Sequence, residues 1–138
     1  YSMHQTQFIE YTYDLDNHIH IFYVKKKTRQ AVDEYAMYLR RIGQEIQNSS
    51  NPPQVLRMIL DIRETGVFPL QYLFSKLRAI NAEYPNIPPT YLAYITDSTG
   101  DIALINNLQY ASAVKQTNYR QVFTPAQYDE AIAWLKTQ

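Results

Sequence analysis

Cysteine is absent from this chain of 138 residues, and glycine occurs only three times. The first absence removes disulfide frameworks, thiolate nucleophiles and Cys-ligated zinc or iron–sulfur sites together. The second removes the common nucleotide motifs, because Gly43, Gly66 and Gly100 lie too far apart to write a dinucleotide fingerprint or a phosphate loop. Charge of one sign is also lacking. With 13 basic residues against 13 acidic ones, the chain has no excess of Lys and Arg to neutralise phosphates, so nucleic acid is not an expected partner. No apolar run is long enough to cross a bilayer, and nothing resembles a secretory leader, so membrane insertion and export are not expected. A cytoplasmic location is the expectation that remains.

What is present is apolar and aromatic. Hydrophobic residues make up 46%, charged residues 19%, and 13 residues are Tyr, a composition that builds a core instead of a disordered tail. A chain of this length suits one domain, expected over 8–138, which buries roughly two-thirds of its unfolded surface. Residues 1–7, with Tyr1-Ser2 ahead of Met3, read as a disordered or extraneous N-terminus.

Phe8 to Tyr13 and His18 to Val24 are rich in strand formers and flank the turn residues Asp14-Leu15-Asp16-Asn17, which predicts an antiparallel hairpin with Ile19, Ile21 and Tyr23 on one face. From Thr28 to about Gln47, Ala31, Tyr35, Leu39, Ile42 and Ile46 recur at helical spacing. Val55 to Leu60 is a short apolar run of the kind buried on both faces of a sheet. Pro69 is placed as a first helical residue ahead of Leu70, Leu73, Phe74, Leu77, Ile80 and Tyr84. Tyr91 to Ile95 is the next buried strand. Asp101 to Val114 suits a helix better than the alternative hairpin arm, and Tyr119 to Phe123 is a last strand. Thr124-Pro125-Ala126-Gln127 reads as a capping box opening a helix with Tyr128, Ala131, Ile132 and Leu135 inward, and Trp134 against the sheet. The resulting order β-β-α-β-α-β-α-β-α is an α/β fold: an N-terminal hairpin leading into a mostly parallel five-stranded sheet covered by about four helices.

Catalytic motifs are few. No G-x-S-x-G elbow occurs, and no Ser stands at a recognisable spacing from a His. His18 and His20 share a strand face and can hold a metal with His4 or Asp16, yet packing beside Ile19 and Ile21 is the better reading, so no metal is expected. Asp61, Arg63 and Glu64 end a parallel strand, where open α/β sheets place ligands; a structural Asp61–Arg63 pair explains them equally well. Lys25-Lys26-Lys27 reads as a solvated loop in preference to a site for an acidic partner or an anionic surface.

Several segments resemble the STAS domains, and most closely their SpoIIAA-like branch. Met58-Ile59-Leu60-Asp61-Ile62-Arg63 is similar to the family's central strand ending in Leu-Asp-Leu-Arg. Arg120 to Pro125, with Glu130-Ala131-Ile132-Ala133-Trp134-Leu135, is similar to its closing strand and helix. The resemblance runs from about Phe8 onward. It implies a single STAS-like regulatory domain, not an enzyme and without a cofactor, that acts through a protein partner, with a homodimer left open. The alternative it leaves is a carrier or sensor of a small hydrophobic or amphipathic ligand, for which Phe68, Phe74, Tyr72, Tyr91 and Tyr94 supply the aromatic lining. Antagonist members of the family carry a phosphorylated serine after the central strand. Here that stretch is Arg63-Glu64-Thr65-Gly66-Val67-Phe68-Pro69, without a serine, so the usual switch is not expected. The candidate binding surface is therefore Arg63, Glu64, Thr65, Gly66 and Phe68 together with Thr96, Asp97, Ser98 and Thr99, where strand ends and helix N-termini converge.

Overall fold

Asp14 makes the first turn. Its carboxylate accepts from the backbone N–H of Asp16 and of Asn17, each at 3.1 Å, and from the Asn17 side chain at 2.8 Å, so a side chain stands in for the backbone of the turn. His18 completes it in the left-handed region at φ 56°. This folds β1 (Ile9–Asp14) back on β2 (Ile19–Val24) with Ile9 opposite Val24 and Asp14 opposite Ile19. The computed structural model describes residues 8–108 and 118–138; the N-terminal segment 1–7 lies outside the described residues.

After the hairpin come α1 (Arg29–Asn48), β3 (Leu56–Asp61), α2 (Leu70–Glu83), β4 (Thr90–Ile95), α3 (Thr99–Asn107), β5 (Asn118–Phe123) and α4 (Tyr128–Lys136). Thr28 caps α1 by accepting from the N–H of Ala31 at 3.3 Å. Glu34 on that helix accepts from the N–H of both Phe8 and Ile9 at 3.1 Å, which ties the start of the edge strand to the helix above it. Pro69 sits one position earlier than expected, as the N-cap of α2 at ψ 108°, outside helical geometry. The α3 segment is helical, as favoured over a hairpin arm, and it ends at Asn107; residues 109–114 lie outside the described residues. Gln127 accepts from the N–H of Thr124 at 3.0 Å, and a 3₁₀ turn at Pro125–Gln127 leads into α4.

The sheet order is β1-β2-β3-β4-β5, antiparallel in the first pair and parallel in the rest. Each parallel crossover therefore steps one strand in the same direction, and crossovers of the usual right hand deposit their helices on one face. Accordingly α1, α2 and α3 cover the face of Phe22, Met58, Leu60, Leu92 and Tyr94. The chain crosses the sheet only after β5, so α4 alone covers the face of Ile19, Ile59, Ala93, Ile95 and Phe123 with Ala131 and Leu135. Arg57 holds α4 down, its guanidinium donating to the carbonyls of Leu135 at 2.9 Å and Gln138 at 2.6 Å. Trp134 is half-buried there, its ring 6.0 Å from Tyr91 and 5.9 Å from Phe123.

Burial on both faces corrects the reading of β2. Ile19 is inward as expected, but so are Phe22 and Val24 of the opposite set, because α1 lies over them. His20 belongs to this second set and is half-buried, with its Nδ1 2.7 Å from the Tyr11 hydroxyl. His18 pairs separately with the Tyr13 hydroxyl at 3.1 Å. The two rings are thus occupied by different tyrosines, and no cluster of metal-ligating side chains occurs among the described residues.

Candidate functional site

The four parallel strands end along one rim, where Tyr23 lies opposite Asp61, Asp61 opposite Ile95 and Ile95 opposite Phe123. Asp61 is buried, and its carboxylate is met by the fork of Arg63: Nε to Oδ1 at 3.0 Å, Nη2 to Oδ2 at 2.8 Å, and the Arg63 backbone N–H to Oδ1 at 3.2 Å. The hydrogen bonds to Asp61 hold the Arg63 guanidinium even more firmly protonated than usual. Beside them the Tyr23 hydroxyl donates to Glu64, an arrangement that pushes the phenol up to about 12. Burial, reinforced by the Asp61 carboxylate, also raises Tyr128 at the start of α4.

The loop after β3 turns tightly. The N–H groups of Thr65 and Gly66 both donate to the Ile62 carbonyl, at 3.2 and 2.9 Å, and Gly66 takes φ 82°. Its missing side chain matters twice. A Cβ there would be strained by that φ and would stand 2.8 Å from the Asp101 carboxylate of α3. Gly66 and Asp101 thus bring the loop after β3 against the start of α3. On the α3 side, Ser98 caps the helix by accepting from the Asp101 N–H at 3.4 Å, and Thr96 accepts from the Ser98 N–H at 3.2 Å.

Of the sequence-derived candidates, Arg63, Glu64, Asp97, Ser98 and Thr99 are exposed on this rim, and Thr65 and Gly66 are half-exposed. Two leave the surface. Phe68 is buried beneath the rim with its ring 5.4 Å from that of Tyr35, because the loop must carry an apolar anchor into the core before α2 begins. Thr96 is buried as well, its N–H spent on the Phe123 carbonyl at 3.0 Å. Asp101, the end of the stretch from Thr96 expected to form the surface, is at the rim; Tyr23 and Tyr128 join it although the sequence reading did not place them there, because they arrive through pairing and crossover, neither of which leaves a local motif. Arg63 is matched by Asp61, so the loops 63–67 and 97–101 carry the charge of Glu64, Asp97 and Asp101, while β2 leaves the same rim through the exposed Lys25, Lys26 and Lys27.

Ligand crevices of open α/β sheets form where strand order reverses, and here it never does. A cavity of about 90 Å³ lies instead between the sheet and the α1/α2 layer. Phe74 and Tyr94 of the expected aromatic lining border it. The others do not: Phe68 is packed on Tyr35, the Tyr72 hydroxyl donates to Asp33 at 2.6 Å, and Tyr91 stacks on Tyr119 across the opposite face of the sheet. Arg120 of β5 also borders the cavity, and its Nε and Nη1 are buried without a hydrogen-bond partner among the described residues. The signal for it was an Arg sharing a strand face with Val122, an inward position for a charge.

Fold and rim together define an α/β domain with an N-terminal hairpin, a sheet wound in one direction and two loops, carrying Glu64, Asp97 and Asp101, at the edge where its parallel strands end. Comparison of the chain with protein-family models, with curated proteins and with solved structures gives no match in any of the three. Among the described residues, no helix is long and apolar enough to cross a membrane.

Proposed function

We propose that this chain is a non-catalytic interaction domain of the STAS-like kind, which regulates a protein partner docked on the rim formed by residues 63–67 and 97–101. The observation that carries the reading is the seating of Gly66 on Asp101, which presents two loops from different crossovers as one surface. Its polar side chains are held in mutual pairs, Arg63 on Asp61 and Tyr23 on Glu64. That suits recognition by a preformed surface, which loses little side-chain entropy on binding. The exposed carboxylates of Glu64 and Asp97 call for a basic partner face.

Site-specific photocrosslinking in native cells tests this. A crosslinker at Asp97 is expected to capture one defined protein, and the capture to be lost in a Glu64→Lys background. A crosslinker at Glu45, near the end of α1, is expected to capture nothing in common with it. Identical products from both positions, or none from Asp97, would refute docking at the rim.

A further inference from the structure

The Arg120 guanidinium is a charge turned inward, with two of its nitrogens buried and without a hydrogen-bond partner among the described residues. It lies on β5 opposite Leu92, with Thr90 and Tyr94 on either side of that position in β4 and Asn118 two residues before it. The Tyr94 hydroxyl engages it, but Nε and Nη1 reach no acceptor among the described residues. A buried donor without a partner costs about 1–3 kcal/mol, and more when it is charged. Such a cost persists where something outside the chain supplies the missing acceptor.

The cavity that Arg120 borders is amphipathic. At the β4/β5 end, Thr90, Tyr94, Asn118 and Arg120 supply polar groups; towards α1 and α2 the wall is Leu39, Ile42, Leu77 and other apolar side chains. A chain of waters would satisfy the first end and be poorly held along the second, since waters in buried sites need about two to four polar partners each. The volume of about 90 Å³ is below the roughly 150 Å³ of an apolar cavity that holds benzene, which excludes a bulky ring. We infer that the cavity is a binding site for a short-chain aliphatic carboxylate, which supplies an acceptor to the buried Arg120 guanidinium while its hydrocarbon tail lies between Leu77 and Ile42. Hydrogen bonds between a guanidinium and a carboxylate are charge-assisted and stronger than neutral ones. The site lies under the helices and not at the rim, so it stands or falls independently of partner docking there.

Titration of the full chain with acetate, butyrate and hexanoate, each alongside its amide, followed by amide NMR and calorimetry, tests the assignment. The best carboxylate is expected to bind about 10–100-fold more tightly than its amide, the margin of a charge-assisted hydrogen bond. Arg120→Met is expected to erase that margin while leaving the unliganded melting temperature unchanged or higher, because it removes an unpaired buried charge. Leu77→Phe keeps the guanidinium and narrows the tail end; it is expected to shift preference towards the shorter acids. Failure of every carboxylate to perturb the spectrum would overturn the site. So would retention of the margin in Arg120→Met, or phosphate and sulfate binding as well as the best carboxylate. Should Arg120→Met not fold, unchanged chain-length preference in Leu77→Phe together with unchanged affinity in Tyr94→Phe would overturn it.

Discussion

Arg63 lies along the carboxylate of Asp61, two residues before it in the chain, with Nη2 2.8 Å from Oδ2 and Nε 3.0 Å from Oδ1. The Asp61 side chain is only 5% exposed and that of Arg63 36% exposed, so the pair lies half in water. Arg63→Ala is therefore expected to cost about 1–3 kcal/mol, less than the loss of a fully buried partner, since water reaches the carboxylate once the guanidinium is gone. Arg63→Lys should recover only part of this, because an ammonium cannot reproduce the two-pronged contact. In urea denaturation the double variant Asp61→Asn/Arg63→Ala should lose less than the sum of the single changes. Strict additivity would mean that the two side chains do not stabilise each other.

The Gly66–Asp101 contact separates two causes that usually act together. Gly66→Ala is expected to destabilise by about 1–3 kcal/mol, through strain at φ 82° and through the approach of its Cβ to the Asp101 carboxylate. Asp101→Ala removes the second cause but not the first. Gly66→Ala should consequently cost less, though still something, in an Asp101→Ala background, as read from thermal melts of the four proteins. An equal cost in both backgrounds would mean that the carboxylate simply swings aside.

Much of this was legible in the sequence, and the failures have physical reasons. The strand and helix order follows from hydrophobic period and from turn and cap residues such as Asp14, Thr28 and Thr124, all of which act locally. Coverage of both faces of β2 does not follow locally, because it depends on which side of the sheet α1 takes after the crossover, so His20 and Phe22 were not recognised as inward. The same holds for Gly43, whose missing side chain admits the Tyr84 ring, with a Cβ standing 2.9 Å from its Cγ. That close approach of α1 to the end of α2 is set by packing between segments some forty residues apart. The rim loops follow the strand ends read from the sequence, and the structure takes the paired one of the two readings left open for Asp61 and Arg63. Whether Arg63 is free or spent on Asp61 depends on a side-chain geometry that spacing does not specify.

His20 makes stability depend on pH. Burial lowers its ring from the ordinary 6.5 to about 4, so between these values the unfolded chain binds a proton that the folded chain refuses. Stability is then complete above about 6.5 and falls as pH drops through the window to about 4, by about 2–3 kcal/mol. The Tyr11 hydroxyl at 2.7 Å from Nδ1 is the contact at risk on protonation. His20→Phe should flatten this part of the profile when urea midpoints are compared between pH 7 and pH 4.5. A slope unchanged by the substitution would assign the pH dependence to carboxylates elsewhere.

Control of the rim by phosphate is the remaining question, and the hydroxyls of Thr65 and Ser98 there are already engaged. Thr65 donates to the Gly66 carbonyl at 3.1 Å, and Ser98 accepts from the Asp101 N–H as the cap of α3. A phosphate on Thr65 would add about −1.5 to −2 charges close to Glu64 and to the Asp101 carboxylate that already packs on Gly66. At Ser98 the helix terminus favours an anion by about 0.3–1 kcal/mol, while Asp97 and Asp101 beside it oppose one. Repulsion therefore offsets the gain at both positions. Partner binding is expected to be constitutive, with Thr65→Ala and Thr65→Glu both retaining the Asp97 crosslink and Arg63→Ala reducing it more than either, because the Arg63–Asp61 pair shapes the loop. Intact-mass measurement of protein from its native cells should show no substantial phosphorylated fraction. A phosphate mapped to Thr65 or Ser98, together with a crosslink that appears or disappears with it, would establish a switch in place of a constitutive surface.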